Sequence, residues 1–167
     1  MRVIALLAAA ALSPPTALGN CETGAAAAVA RQFWEGHSHF FRTDDPELRT
    51  LTTARFYSAL QHEWACLAKS SACLGYRPWP NPDDEHLADF PTFDIPVSRP
   101  DLSSVTGPEH VLVTMTFAMM DVDGKVGPDQ FVVLTLMHGP GSQCWLVDDV
   151  VTPERGSLRL RLRGPDS

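Results

Sequence analysis

The chain of 167 residues lacks the short motifs that mark most familiar chemistries. It has no G-x-S-x-G, and no serine or cysteine stands in a nucleophile elbow, which argues against an acyl-transfer hydrolase. There is no G-x-G-x-x-G and no phosphate loop, so nucleotides have no glycine-rich cradle. H-E-x-x-H and C-x-x-C spacings are missing too. Positive charge is scarce: 13 Lys and Arg against 20 Asp and Glu leave a net charge of −7. That is the wrong sign for a nucleic-acid binder. Internal repeats and low-complexity stretches are absent, and past the N-terminus no apolar run approaches the roughly twenty residues of a transmembrane helix.

What is present begins with an export signal. Arg2 is followed by the apolar run Val3 to Leu12, the helix-breaking Ser13-Pro14-Pro15, and the small residues Ala17-Leu18-Gly19. This is the layout of a cleavable secretory signal over residues 1–19. A lipoprotein anchor at Cys21 is disfavoured, because Asn20 stands where a small residue is wanted. Residues 20–167 then form a single acidic domain of a size that folds around one core. The expected location is the periplasm or the exterior.

Four cysteines remain after cleavage, and an oxidising compartment favours disulfides among them. The expected pairs are Cys66–Cys73, closing the turn out of a helix, and Cys21–Cys144, tying the N-terminus to a sheet.

Apolar positions three and four apart (Ala26, Val29, Ala30, Phe33, His37, Phe40, Phe41) predict a helix over residues 24–42. A second helix is expected from Asp45-Pro46 to Lys69-Ser70, with Leu48, Leu51, Phe56, Ala59, Leu60, Trp64 and Leu67 on its buried face. Residues 75–101 hold six prolines and read as a long surface loop that ends in an edge strand near Asp89–Ile95. Val111–Met120, Phe131–His138 and Cys144–Val151 alternate as three strands of a meander, with Asp123-Gly124 as a tight turn. Residues 155–167, with Arg155, Arg159, Arg161 and Arg163 between leucines, read as a basic, solvated tail. Two N-terminal helices covering one face of a curved antiparallel sheet make an α+β domain.

This order resembles the cystatin-like, nuclear-transport-factor-2-like superfamily, and within it a family of small secreted bacterial proteins described as a domain of unknown function. The points of contact are Arg55-Phe56-Tyr57, Asp89-Phe90, Phe93-Asp94, Val113 to Phe117, Phe131 to Leu134, Cys144 to Val150 and Ser157-Leu158. The resemblance spans nearly all of residues 25–162 and implies a cone-shaped cavity between sheet and helix. Because the superfamily holds isomerases, dehydratases, hydrolases and binding proteins, it implies no one function.

Candidate chemistry is sparse. Asp148 and Asp149 are neighbours on a strand, so alternation turns one of them toward the cavity, where burial raises a carboxyl pKa and suits it to acid–base work. His37 on a helical apolar face is a candidate proton shuttle, and Tyr57 a cavity donor. Trp34, and Tyr76 and Trp79 in the proline-rich loop, are candidate binding residues, aromatic anchors at the cone mouth and loop. The alternative for Trp79 is a plug of the domain's open end. The six histidines show no metal spacing, and Asp121-x-Asp123-Gly124 places its glycine too early for a calcium loop. No metal and no cofactor is therefore expected. The leading reading is a non-catalytic exported protein binding a small ligand or a periplasmic protein partner. One alternative is a small isomerase or hydrolase using Asp148 or Asp149 with His37 and Tyr57. Another is an inhibitor or immunity protein presenting Asp83-Asp84-Glu85 to a basic target.

Overall fold

Alanine and aromatic residues spaced three and four apart build the first helix, α1 (Thr23–His37), and bury Ala26, Ala30, Phe33 and Trp34 along one stripe. In the computed structural model the described residues are 23–69, 73, 78–80, 82–95, 110–139 and 145–162. The expected signal segment, Cys21, Tyr76, Cys144 and the expected pairing Cys21–Cys144 lie outside them. The expected helix over 24–42 stops at His37. Beyond it, Phe40 N–H bonds His37 O and Arg42 N–H bonds His39 O, both three-residue turns. Phe40 and Phe41 stay buried on those turns, Phe40 with its carbonyl accepting Trp64 Nε1–H at 2.9 Å.

The second helix is two pieces rather than one. After α2 (Leu48–Leu51) the chain runs extended through Thr52 and Thr53, then re-enters helix as α3 (Ala54–Leu67). Here a sheet edge outcompetes helical periodicity. Thr52 bridges Val147 in parallel and Thr53 N–H donates to Val147 O at 2.9 Å. β-Branched threonines tolerate that extended backbone well. Thr53 then caps α3, its hydroxyl oxygen accepting Phe56 N–H.

The sheet is an open antiparallel meander in the order β1-β2-β3-β4-β5, comprising β1 (Thr92–Asp94), β2 (His110–Phe117), β3 (Gln130–Met137), β4 (Leu146–Thr152) and β5 (Gly156–Ser157). Alternation puts Val113, Met115, Phe117, Val132, Leu134, Leu136, Val147 and Val150 into one core with α1 and α3. The β2–β3 connection turns where expected. The Asp121 carboxylate accepts Asp123 N–H and Lys125 N–H, and Gly124 takes φ 76°, which a Cβ would strain. The architecture is thus α+β.

Two further expectations are corrected. The proline-rich stretch is not wholly a surface excursion: residues 78–80 are buried, Trp79 Nε1–H donates to Ser38 O, and Trp34 Nε1–H donates to Pro80 O at 2.9 Å. Of the expected basic tail, the described residues 155–162 are part of the fold. After β5, α4 (Leu158–Leu162) buries Leu158 and Leu162 in the core. Among the described residues no helix is long and apolar enough to cross a membrane.

Cys66, in the last turn of α3, is bonded to Cys73 with Cα atoms 5.8 Å apart. The bond closes a short loop and removes unfolded-state entropy worth about 2.5 kcal/mol. A Cys66→Ser/Cys73→Ser protein is expected to lose about that much in urea unfolding, with a slope equal to or slightly steeper than the parent's because the unfolded chain opens further. No loss would mean the native state already strains to hold the bridge.

Candidate functional site

Strand alternation alone sends one of two neighbouring residues inward, yet Asp148 and Asp149 are both about 1% exposed. A β-bulge explains this. Thr135 pairs with Asp149 and Leu136 with Val147, so Asp148 is the extra, unpaired residue of β4. The bulge aims the two carboxylates at different partners.

Asp148 faces the start of α3. Its Oδ1 accepts Thr53 Oγ1–H at 2.6 Å and Arg55 Nε–H at 2.5 Å, and its Oδ2 accepts Arg55 Nη2–H at 2.6 Å. This is the two-pronged guanidinium–carboxylate pair, the strongest common charge-assisted contact. Arg55 Nη2 also reaches His110 Nε2 at 3.0 Å and Met137 Sδ at 2.8 Å. Burial pushes the Asp148 carboxyl up, but hydrogen bonds from Arg55 and Thr53 and the charge of Arg159 outweigh it and hold it below the usual carboxylate value. The Asp148 hydrogen bond in turn raises Arg55.

Asp149 faces the start of α4. Its Oδ1 accepts Val150 N–H and Arg159 N–H, each at 2.8 Å, and its Oδ2 accepts the Ser157 hydroxyl. Burial dominates here and raises its pKa despite these bonds. Adjacent carboxylates with pKa values pushed apart are the usual mark of an acid–base pair. Here, however, most of their lone pairs are committed to protein donors.

The other expected partners do not join them. His37 Nδ1 pairs with Asp45 Oδ2 at 2.6 Å, and Tyr57 packs edge-on to Trp64 at 5.6 Å between ring centres. Among the described residues no hydrogen bond or ion pair links His37 or Tyr57 to either aspartate. The constellation of the isomerase reading, either aspartate with His37 and Tyr57, is not joined by these contacts. Trp34 and Trp79 are corrected as exposed anchors, since both are core residues. Trp79 stacks against Phe33 and Phe40. In the acidic run Asp83 and Glu85 are exposed, while Asp84 turns in to accept His86 N–H at 3.2 Å.

Tyr57 instead lines a half-enclosed groove of about 500 Å³ with Arg49, Thr52, Thr53, Ala54, Gln61, His138 and Leu146. It lies where the α2–α3 break docks on the N-terminal end of β4. His138, at its rim, stacks on Trp145 at 4.2 Å. In a chain with 20 acidic residues, no carboxylate lines this groove among the described residues, and its charges are those of Arg49 and, when protonated, His138. The start of α3 adds the positive end of a helix dipole.

Sequence reasoning missed Arg55, Thr53, Ser157 and Arg159 as partners of the aspartates, and Arg49 and His138 as groove residues. Arg55-Phe56-Tyr57 was visible as a pattern, but nothing local ties Arg55 to a residue 93 positions away. Arg159 read as solvated, yet its side chain is mostly buried beside both aspartates. Comparison of the chain with protein-family models, curated proteins and solved structures returned no match.

Proposed function

We propose that this is an exported, non-catalytic binding protein that takes a small organic anion into the groove around Arg49 and Tyr57. The observation that carries the reading is the groove's composition. A guanidinium, two threonines, a tyrosine, an imidazole and a helix start converge with no acidic side chain among the described residues, in an otherwise acidic chain. Leu146 and the Tyr57 ring supply apolar contact for the body of a ligand, and Arg49 a fork for its carboxylate or phosphate. Asp148 holds the groove's frame rather than supplying its chemistry, because it clamps Thr53 and Arg55 at the start of α3. Export accords with the Cys66–Cys73 disulfide. The resemblance to the nuclear-transport-factor-2-like superfamily, with its cavity framed by helix and sheet, agrees with a ligand-binding role.

A thermal-shift screen of small carboxylates and phosphates tests it. A ligand at a hundred times its dissociation constant adds about 2.7 kcal/mol to native stability. Arg49→Ala, at an exposed position, is expected to weaken the hit by roughly ten- to a hundredfold, the worth of a charged hydrogen bond. No stabilisation by any of these anions, or an affinity indifferent to Arg49→Ala, overturns the reading.

A further inference from the structure

The turn between α1 and α2 assembles three residues that the sequence keeps eight and ten positions apart. His37 ends α1 with its side chain only 8% exposed. Its Nδ1 meets Asp45 Oδ2 at 2.6 Å, and Asp45 is itself fixed, because its Oδ1 accepts Glu47 N–H at 3.0 Å. A carboxylate at Nδ1 holds the proton there in the neutral ring and leaves the lone pair on Nε2. Nε2 has no hydrogen-bond partner among the described residues; it faces Glu47 Oε2 at 4.0 Å, too far for a hydrogen bond. One donor atom from each of His37, Asp45 and Glu47 lies within 4.8 Å of the other two.

We propose that His37 Nε2 and Glu47 form a binding site for a divalent transition-metal ion of the zinc type, with Asp45 as the carboxylate that orients the imidazole. The carboxylate–histidine–metal relay is the usual way a ligating ring is held in its tautomer. Two donors on one tetrahedral ion, with bonds of about 2.0–2.2 Å, stand roughly 3.4 Å apart. Glu47 has its side chain 80% exposed and can swing the remaining few tenths of an ångström without disturbing the core. An imidazole in the set selects zinc-like ions over magnesium and calcium, which prefer all-oxygen shells. The C-terminal end of a fifteen-residue helix adds a favourable field for a cation.

The test is calorimetric titration of the chelator-stripped protein with Zn²⁺, and separately with Mg²⁺ and Ca²⁺. Saturable zinc uptake at one site is expected, with no comparable magnesium or calcium uptake. Glu47→Gln changes an exposed side chain, leaves the fold intact and should weaken zinc at least tenfold. Asp45→Asn is the sharper variant. Its carbonyl oxygen still accepts Glu47 N–H, but its amide donates to Nδ1, moving the ring proton to Nε2 and removing the lone pair. Zinc binding should fall by about 10–100-fold, with the tautomer change visible in nitrogen-15 imidazole spectra. Absence of zinc binding, or binding unchanged by both variants, overturns the site. In the second case the ion sits on other histidines.

Discussion

Asp148→Asn is expected to lower stability by about 3 kcal/mol, whereas Asp149→Asn, one residue along the same strand, is expected to cost less than about 1 kcal/mol. The asymmetry follows from what each carboxylate faces. Asp148 holds Arg55 through both oxygens, so an amide there sets an NH2 group against a guanidinium and strips the pair of its charge. Breaking a buried pair costs about 3–5 kcal/mol, and the low end applies because Arg55 keeps 40% of its side chain in water. Asp149 takes both backbone N–H bonds on Oδ1, which an amide retains. The new NH2 then faces Ser157 Oγ, which turns to accept. Asp149→Ala, by contrast, orphans two backbone donors and should cost about 3 kcal/mol.

Acid separates the same two residues with opposite signs. The Asp148 pKa is depressed in the fold, so its contribution is present above the ordinary value of 3.8 and is lost as pH falls through the lower folded value. The Asp149 pKa is raised, so its contribution is present below 3.8 and is lost as pH rises through the higher folded value. Urea unfolding between about pH 3 and pH 7 reads both. Relative to the parent, Asp148→Asn should show a shallower loss on acidification, and Asp149→Asn a steeper one. Equal damage from the two substitutions at neutral pH would falsify this division of labour.

Trp79→Ala is expected to be the most destabilising single truncation in the proline-rich stretch, at about 3–5 kcal/mol. For a domain of this size the melting temperature should fall by roughly 8–16 °C. Trp79 is 2% exposed, packs on Phe33 and Phe40, and its indole N–H satisfies the Ser38 carbonyl. Truncation therefore leaves both a cavity and a buried acceptor without its donor. Trp79→Phe keeps ring contacts and loses only the donor, so its cost should be markedly smaller. A surface anchor would behave otherwise, with an unchanged melting temperature and a loss confined to binding. That result would return Trp79 to the recognition role its sequence setting suggested.

Much of the scaffold was legible because it is encoded between near neighbours. Period-two alternation marked β3 to within one residue at each end, and β2 to within one at its start and three at its end, since each residue's face is set by the pleat. Asp121 to Gly124 declared its turn through side-chain-to-backbone bonds two to four residues long. Cys66 and Cys73, seven apart at a helix end, were close enough to pair on spacing alone. The α+β class followed from the same local rules.

Everything that distinguishes one side of this domain from the other came from residues distant in sequence. Helical periodicity runs straight across Thr52 and Thr53, and only the docked edge of β4 breaks it there. An unbulged strand would place Asp148 and Asp149 on opposite faces. The bulge that commits one to Arg55 and the other to α4 depends on the partner strand's register, which β4 does not contain. Tryptophan among prolines reads the same whether its ring meets water or a helix, and Trp34–Pro80 and Trp79–Ser38 contacts across 46 and 41 residues decide that it is core. Arginine on a helix is ordinarily solvated, and the desolvated Asp148, 93 residues away, makes Arg55 structural. Local propensity and pattern determined the elements and their faces. Burial, charge pairing and the groove depend on which faces meet, and that is a property of the packed chain alone.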